Sequence, residues 1–240
     1  MYFYEEREKS FSFYFGGEKM EYKTQHITNK NKLTNRAMIP EYITVHSTGN
    51  LNSTAQNERD NLNRAGNTSS TGFHIAVDEE QAIECIPLDM IAYHAGDGTN
   101  GPGNTKTIGI EICESGNREK TIQNAVELIA RMLRERNWGI EKLRRHYDWT
   151  RNSGCPRILA YNNWEGWDTF KLQVEEKLRV VGEEQLDIIK IKLHDKEIEV
   201  EGIFRDGTNY VPVRLLEQLG YDLDWRNNTV IIEYKTGGQA

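Results

Sequence analysis

The chain has 240 residues, of which 37% are hydrophobic and only 25 are Gly or Pro. This excludes a collagen-like, low-complexity or wholly disordered protein and leaves room for one large domain or a large and a small one. The formal charge is −7, residues 183–240 carrying 7 basic and 12 acidic side chains, and neither part holds a basic patch, which argues against a nucleic-acid partner.

The first segment, MYFYEEREKSFSFYFGGEKM, is not a signal peptide: Glu5, Glu6 and Glu8 stand where a basic region belongs and no apolar core follows. Gly-Gly-Glu-Lys before Met20 can be encoded by a purine-rich ribosome-binding sequence, so one reading makes residues 1–19 a translated leader. The other reading is an N-terminal strand, FSFYF. From Tyr42 an α/β pattern begins. YITVH is a short strand ending in His46. Ser53-Thr54 with Glu58 offers a helix start of the capping-box type, the helix running to about Arg64. GFHIAVDEEQAIECIP reads as two strands around the polar turn Asp78-Glu79-Glu80. AGDGTNGPGNT is loop. TIGIEIC is an apolar strand interrupted by Glu111. Residues 121–137 place Ile122, Ala125, Val126, Ile129, Met132 and Leu133 at helical spacing. Residues 144–158 read as loop and 164–179 as a closing helix.

At Gly182-Glu183-Glu184 the character changes. IIKIKL and EIEVEGIF alternate apolar and polar residues, VPVRLLEQLG reads as a short helix, and YDLDW and TVIIEY follow as strands around Asn227-Asn228. The organisation expected is therefore an N-terminal extension (1–39), an α/β domain (40–182) and a ββ-α-ββ unit (183–240). No stretch reaches the roughly 20 apolar residues of a transmembrane helix.

Three cysteines do not make a disulfide framework. Cys85 and Cys113 lie in apolar runs and read as reduced core, whereas Cys155 lies among polar residues. A lone histidine is ordinarily a surface group or a satisfied core group. His46 differs, because it ends a buried strand, where an ionisable group is costly unless bound. His46, His146 from a distant loop, and Cys155 nine residues later form a three-ligand set for Zn²⁺. Two imidazoles and a thiolate suit this metal and leave a fourth position open.

The segments EYITVH, FHIAVDEEQAIECIP, AYHAGDGTNGPGN, TIGIEIC and RRHYDW…CPRIL, in this order, resemble the zinc-dependent N-acetylmuramoyl-L-alanine amidases of the type 2 family, which include phage endolysins and autolysins and are related to the peptidoglycan recognition proteins. The resemblance covers about residues 40–180. It implies a mixed central sheet flanked by helices, one zinc, and bacterial peptidoglycan as partner, cut between N-acetylmuramic acid and L-alanine. It also implies His46, His146 and Cys155 as the zinc ligands and Glu111 as the carboxylate that polarises the attacking water. Non-catalytic relatives typically lack the cysteine, so Cys155 favours an enzyme.

Two departures stand out. The family often has a lysine two residues before the cysteine, and Ser153 occupies that place. Arg151 is the nearby cation that can take over oxyanion stabilisation; the alternative is a surface residue. Where some relatives have a catalytic tyrosine, this chain has Phe73, which cannot transfer a proton. His94 reads as a substrate contact or a support of the transition state, the alternative being a loop-stabilising histidine, and His74 as a structural group or groove lining. The C-terminal unit resembles the small domain related to the N-terminal domain of copper amine oxidases, with no metal-ligand set, and is expected to bind the cell wall. The resemblance implies an endolysin that accumulates in the host cytoplasm until a holin-type pore releases it. A non-catalytic muropeptide-binding protein and a zinc peptidase acting on stem peptides stay open beside it.

Overall fold

The computed structural model describes residues 10–15, 18–151 and 154–180, and in the C-terminal part 187–193, 196–205, 208–210, Leu216, 221–226 and 229–234. The chain divides into two units, Met1–Arg179 and Val180–Ala240.

The first unit is built on a seven-stranded mixed sheet with strands β1 (Ser10–Phe15), β2 (Glu18–Thr24), β3 (Tyr42–Ser47), β4 (Ile75–Val77), β5 (Gln81–Glu84), β6 (Thr107–Ile112) and β7 (Leu143–Arg145), in the order β1-β2-β5-β4-β6-β3-β7. Strands β4, β6, β3 and β7 run parallel to their neighbours in that series. The segment before residue 40, expected as an extension, therefore supplies two strands. Met20 and Tyr22 of β2 are buried in the main core, and β2 pairs in parallel with β5.

Alternation along the strands sorts the side chains onto two faces. Ile43, Val45, Ile75, Val77, Ile108, Ile110 and Ile112 join the core that includes Ala125, Ile129 and Leu133 of helix α3 (Arg118–Glu135). The opposite face carries Thr44, His46, Ala76, Thr107, Gly109 and Glu111. Helix α1 (Ala55–Asn63) covers part of that face through Ala55 and Leu62, packed with Ala76, Cys85 and Cys113. Both cysteines are buried free thiols, raised in pKa chiefly by burial.

Local signals explain most boundaries. Thr54 caps α1 in a capping box closed by Asn57, not by Glu58 as the sequence suggested, because Asn57 is the residue three along from the cap. Asn117 caps α3 by accepting from the Lys120 N–H at 3.1 Å. In the β4–β5 turn, Asp78 Oδ1 accepts from the N–H groups of Glu80 and Gln81 while Oδ2 accepts from Ala55 N–H, so one carboxylate holds both the turn and the start of α1. The glycine-rich loop contains an unforeseen one-turn helix, α2 (Pro102–Thr105), with proline in its first turn. The stretch after Arg144, expected as loop, opens with the four-residue helix α4 (His146–Trp149). The closing helix α5 (Tyr161–Val180) begins with three left-handed residues, Asn162 to Trp164.

In the second unit, β8 (Asp187–Leu193), β9 (Lys196–Arg205) and β10 (Thr208–Tyr210) form one antiparallel sheet, and β11 (Tyr221–Arg226) with β12 (Thr229–Tyr234) forms a hairpin. β10 was not foreseen. Apart from Leu216, the expected helix lies outside the described residues.

Candidate metal centre

The parallel trio β6-β3-β7 brings the candidate groups together. His46 stands opposite Glu111 in the β3–β6 register. Val45 stands opposite Arg145 across β3–β7, so His46 and His146 fall one step beyond the last pair. The chain then returns through residues 154–156, where Cys155 O accepts from Tyr147 N–H at 3.0 Å and Arg157 N–H donates to Ser47 Oγ at 3.0 Å.

His46, His146 and Cys155 each offer one ligand atom, all within 4.8 Å of one another. The two Nδ1 atoms lie 3.2 Å apart, and Cys155 Sγ lies 3.8 Å from His46 Nδ1. Zinc in tetrahedral sites takes Zn–N of about 2.0–2.1 Å and Zn–S of about 2.3 Å, so its donors are separated by roughly 3.4 Å (N to N) and 3.6 Å (N to S). The observed spacings fit. The electrostatics agree: burial first, then Glu111, pushes the Cys155 thiol up to about 12, so a thiolate there needs a cation beside it. Burial and the neighbouring rings hold His46 well below its ordinary value, leaving a neutral imidazole.

Glu111 is the third kind of group. Its Oε2 is enclosed with no hydrogen-bond partner among the described residues, and burial, followed by Glu58 and Glu114, pushes its carboxyl up to about 8. An enclosed carboxylate oxygen without a partner, on a carboxyl poised near neutrality, is suited to exchange a proton.

The structure turns both His74 and His94 to the protein interior. His74 is fully buried. Its Nδ1 accepts from Gly109 N–H and its Nε2 donates to Met90 O, both at 2.9 Å. Burial lowers its pKa to about 4. Neither nitrogen is left for a substrate, so its place is structural. His94 is also buried. Its Nδ1 lies 2.9 Å from His46 Nε2 and its Nε2 is 3.2 Å from Thr107 O. It serves His46 and offers the substrate no free nitrogen. Gly109 makes this possible, since a Cβ there would lie 2.7 Å from the His94 ring. Burial pulled both histidines inward; nothing in the strand pattern distinguished an inward ring from a groove ring.

Arg151 is exposed, its guanidinium 5.2 Å from the centroid of Tyr147; Ser153 lies outside the described residues. His26 lies 2.8 Å from Glu84 Oε1 through Nε2. Sequence reasoning missed a clamp beside Cys155. The Glu114 side chain is 1% exposed and receives Arg157 Nε at 2.9 Å, Arg157 Nη2 at 2.5 Å and Gly49 N–H at 2.9 Å. The available signal was an acidic residue just past a buried strand and an arginine two residues after the cysteine.

Residues 35–158 match the N-acetylmuramoyl-L-alanine amidase family. The chain is 46% identical to the amidase XlyB of Bacillus subtilis over 147 residues, covering 59% of this chain and 44% of that protein. It is 36% identical to the amidase CwlA of a Bacillus species over 194 residues, covering 77% and 74%. The chain thus spans less than half of XlyB and 53% of the CwlA of Bacillus subtilis. Among solved structures, the catalytic domain of XlyA superposes with a TM-score of 0.58 at 35% identity over 63% of this chain and 97% of that one. A mutant endolysin from Bacillus subtilis gives 0.59 at 34% identity over 65% and 99%.

Proposed function

The chain belongs to the N-acetylmuramoyl-L-alanine amidase family, and from that premise we propose that it hydrolyses the amide between N-acetylmuramic acid and L-alanine in bacterial peptidoglycan, as an endolysin of a phage or prophage. The observation that carries the reading is the convergence of His46, His146 and Cys155 at zinc-like spacing beside Glu111, whose enclosed Oε2 has no partner among the described residues.

Zinc would be held by Nδ1 of His46, Nδ1 of His146 and Sγ of Cys155. When bound it supplies Lewis acidity, lowering the pKa of water and polarising the scissile carbonyl. Glu111 accepts the proton released as water attacks and holds it on its carboxyl. It then passes that proton to the alanine nitrogen as the amide bond breaks. Arg151, on the turn after α4, offers positive charge to the oxygen of the tetrahedral species. The second unit holds the enzyme on the wall, which raises its effective concentration at an insoluble substrate. No helix among the described residues is long and apolar enough to cross a membrane.

The deciding experiment is Glu111→Gln, assayed on cell walls and by metal analysis. Turnover falls roughly 10²–10⁴-fold while the metal content stays at wild type. Products of the wild-type enzyme carry new L-alanine amino ends and no new reducing sugars. Reducing ends among the products, or full turnover in the variant, would overturn the reading.

A further inference from the structure

Both candidate ligand histidines present Nδ1 to the site, and each must therefore carry its proton on Nε2 when neutral. The His94–Ala95 dipeptide enforces this for both. Thr107 O accepts only, so the proton of His94 sits on Nε2, facing it at 3.2 Å. His94 Nδ1 is then an acceptor and the His46 proton sits on Nε2, 2.9 Å away. His46 Nδ1 is left bare. One residue along, the Ala95 carbonyl acts on the His146 ring, partly offsetting the lowering of its pKa by burial, and accepts from Thr150 Oγ1 at 3.2 Å. Gly96, at φ +68°, turns the chain there. A Cβ on it would lie 3.5 Å from His146 Nε2, which places that nitrogen on the Ala95 side.

What holds the dipeptide is a single buried side chain. Asn104 in α2 is 3% exposed. Its Oδ1 accepts from both His94 N–H (2.7 Å) and Ala95 N–H (2.8 Å), and its Nδ2 donates to Gly98 O (2.9 Å). Asp97 Oδ2 accepts from Gly103 N–H at 2.6 Å and ties α2 to the same loop. Gly103 admits the close approach, since a Cβ there would lie 2.6 Å from Ala95 Cβ.

We infer that Asn104 is a positioning residue that sets the tautomer and orientation of both His46 and His146 at once, through His94 and the Ala95 carbonyl. It touches no reacting atom. Outer-shell partners of ligating histidines fix the tautomer and typically govern metal affinity by 10–100-fold. Here one amide would govern two ligands, because the residues it fixes are adjacent in the chain.

The inference rests on the metal reading for its consequence but not for its test. In the metal-free wild-type protein, ¹⁵N NMR of the imidazoles should show His46 and His146 protonated at Nε2 and bare at Nδ1. In Asn104→Ala both rings should show mixed tautomers, and zinc affinity, measured by chelator competition, should fall roughly 10–100-fold. Asn104→Asp keeps the shared acceptor and should restore the Nε2–H tautomer and most of the affinity. Either histidine protonated at Nδ1 in the wild type overturns the inference, with no variant needed. So does an alanine variant that is merely less stable, with both tautomers and zinc affinity intact. A wild type that keeps the predicted tautomers but binds no zinc would overturn the metal reading and leave the tautomer assignment standing.

Discussion

His74 offers a direct test of how this site tolerates acid. Its ring is fully buried and neutral, with Nδ1 accepting from Gly109 N–H and Nε2 donating to Met90 O. Protonation would put a second N–H against the Gly109 N–H and break the bond that ties the ring to β6. Burial therefore lowers its pKa from 6.5 to about 4. The unfolded chain takes up this proton below pH 6.5 and the folded chain only near pH 4. Stability thus falls as pH drops through that window and levels off below it. At about 1.36 kcal/mol per pH unit over a gap of about 2.5 units, this one ring costs roughly 3 kcal/mol by pH 4. His74→Gln isolates it, because an amide can accept and donate in the same two directions and does not titrate. Near pH 7.5 the variant should lie within about 1 kcal/mol of the wild type. Denaturant unfolding of both metal-free proteins, from pH 7.5 to 4, should show the variant gaining about 3 kcal/mol on the wild type as pH falls. Parallel stability curves would refute the reasoning.

Cys155→Ser exchanges a thiolate for a neutral hydroxyl and should lose most zinc affinity in a competition titration; wild-type binding would remove Cys155 from the ligand set. Arg157→Met leaves the buried Glu114 carboxylate short of its main partner and should cost roughly 3 kcal/mol in denaturant unfolding. A loss under about 0.5 kcal/mol would show that Gly49 N–H and Arg118, 3.6 Å from Glu114 Oε2, suffice. A chain ended after Gly182 should retain zinc and cleave soluble muropeptides, since every proposed ligand and Glu111 precede that point, but lyse intact walls more slowly. Equal lysis by both forms would end the anchoring role.

The candidate ligands His46, His146 and Cys155 and the nearby Glu111 were legible chiefly through the family resemblance. His46 closing an apolar strand, Glu111 inside another and Cys155 in a polar loop also contradict their surroundings, and the structure brings them together with His146. The shell around them was not legible. His74 and His94 are told apart from groove residues only by which backbone groups their rings meet, and those partners, Gly109, Met90 and Thr107, are distant in sequence. Asn104 looked like one polar residue in a glycine-rich loop, because the one-turn helix that aims it depends on packing against Ala95. Of the two N-terminal strands, β1 matches the FSFYF strand that the sequence offered as one of two readings, whereas β2 was obscured because pairing with β5, not local periodicity, selects its register.

Strand β7 is three residues long and lies at the edge of the sheet, paired on one side only, and His146 follows it directly. For an ion gripped by these donors, this edge is the natural exit. Opening β7 withdraws one imidazole while β3, held between two neighbours, keeps the other. Ion exchange should then proceed through a local opening far cheaper than global unfolding, and its rate should respond to mutations along β7 that leave the melting temperature almost untouched.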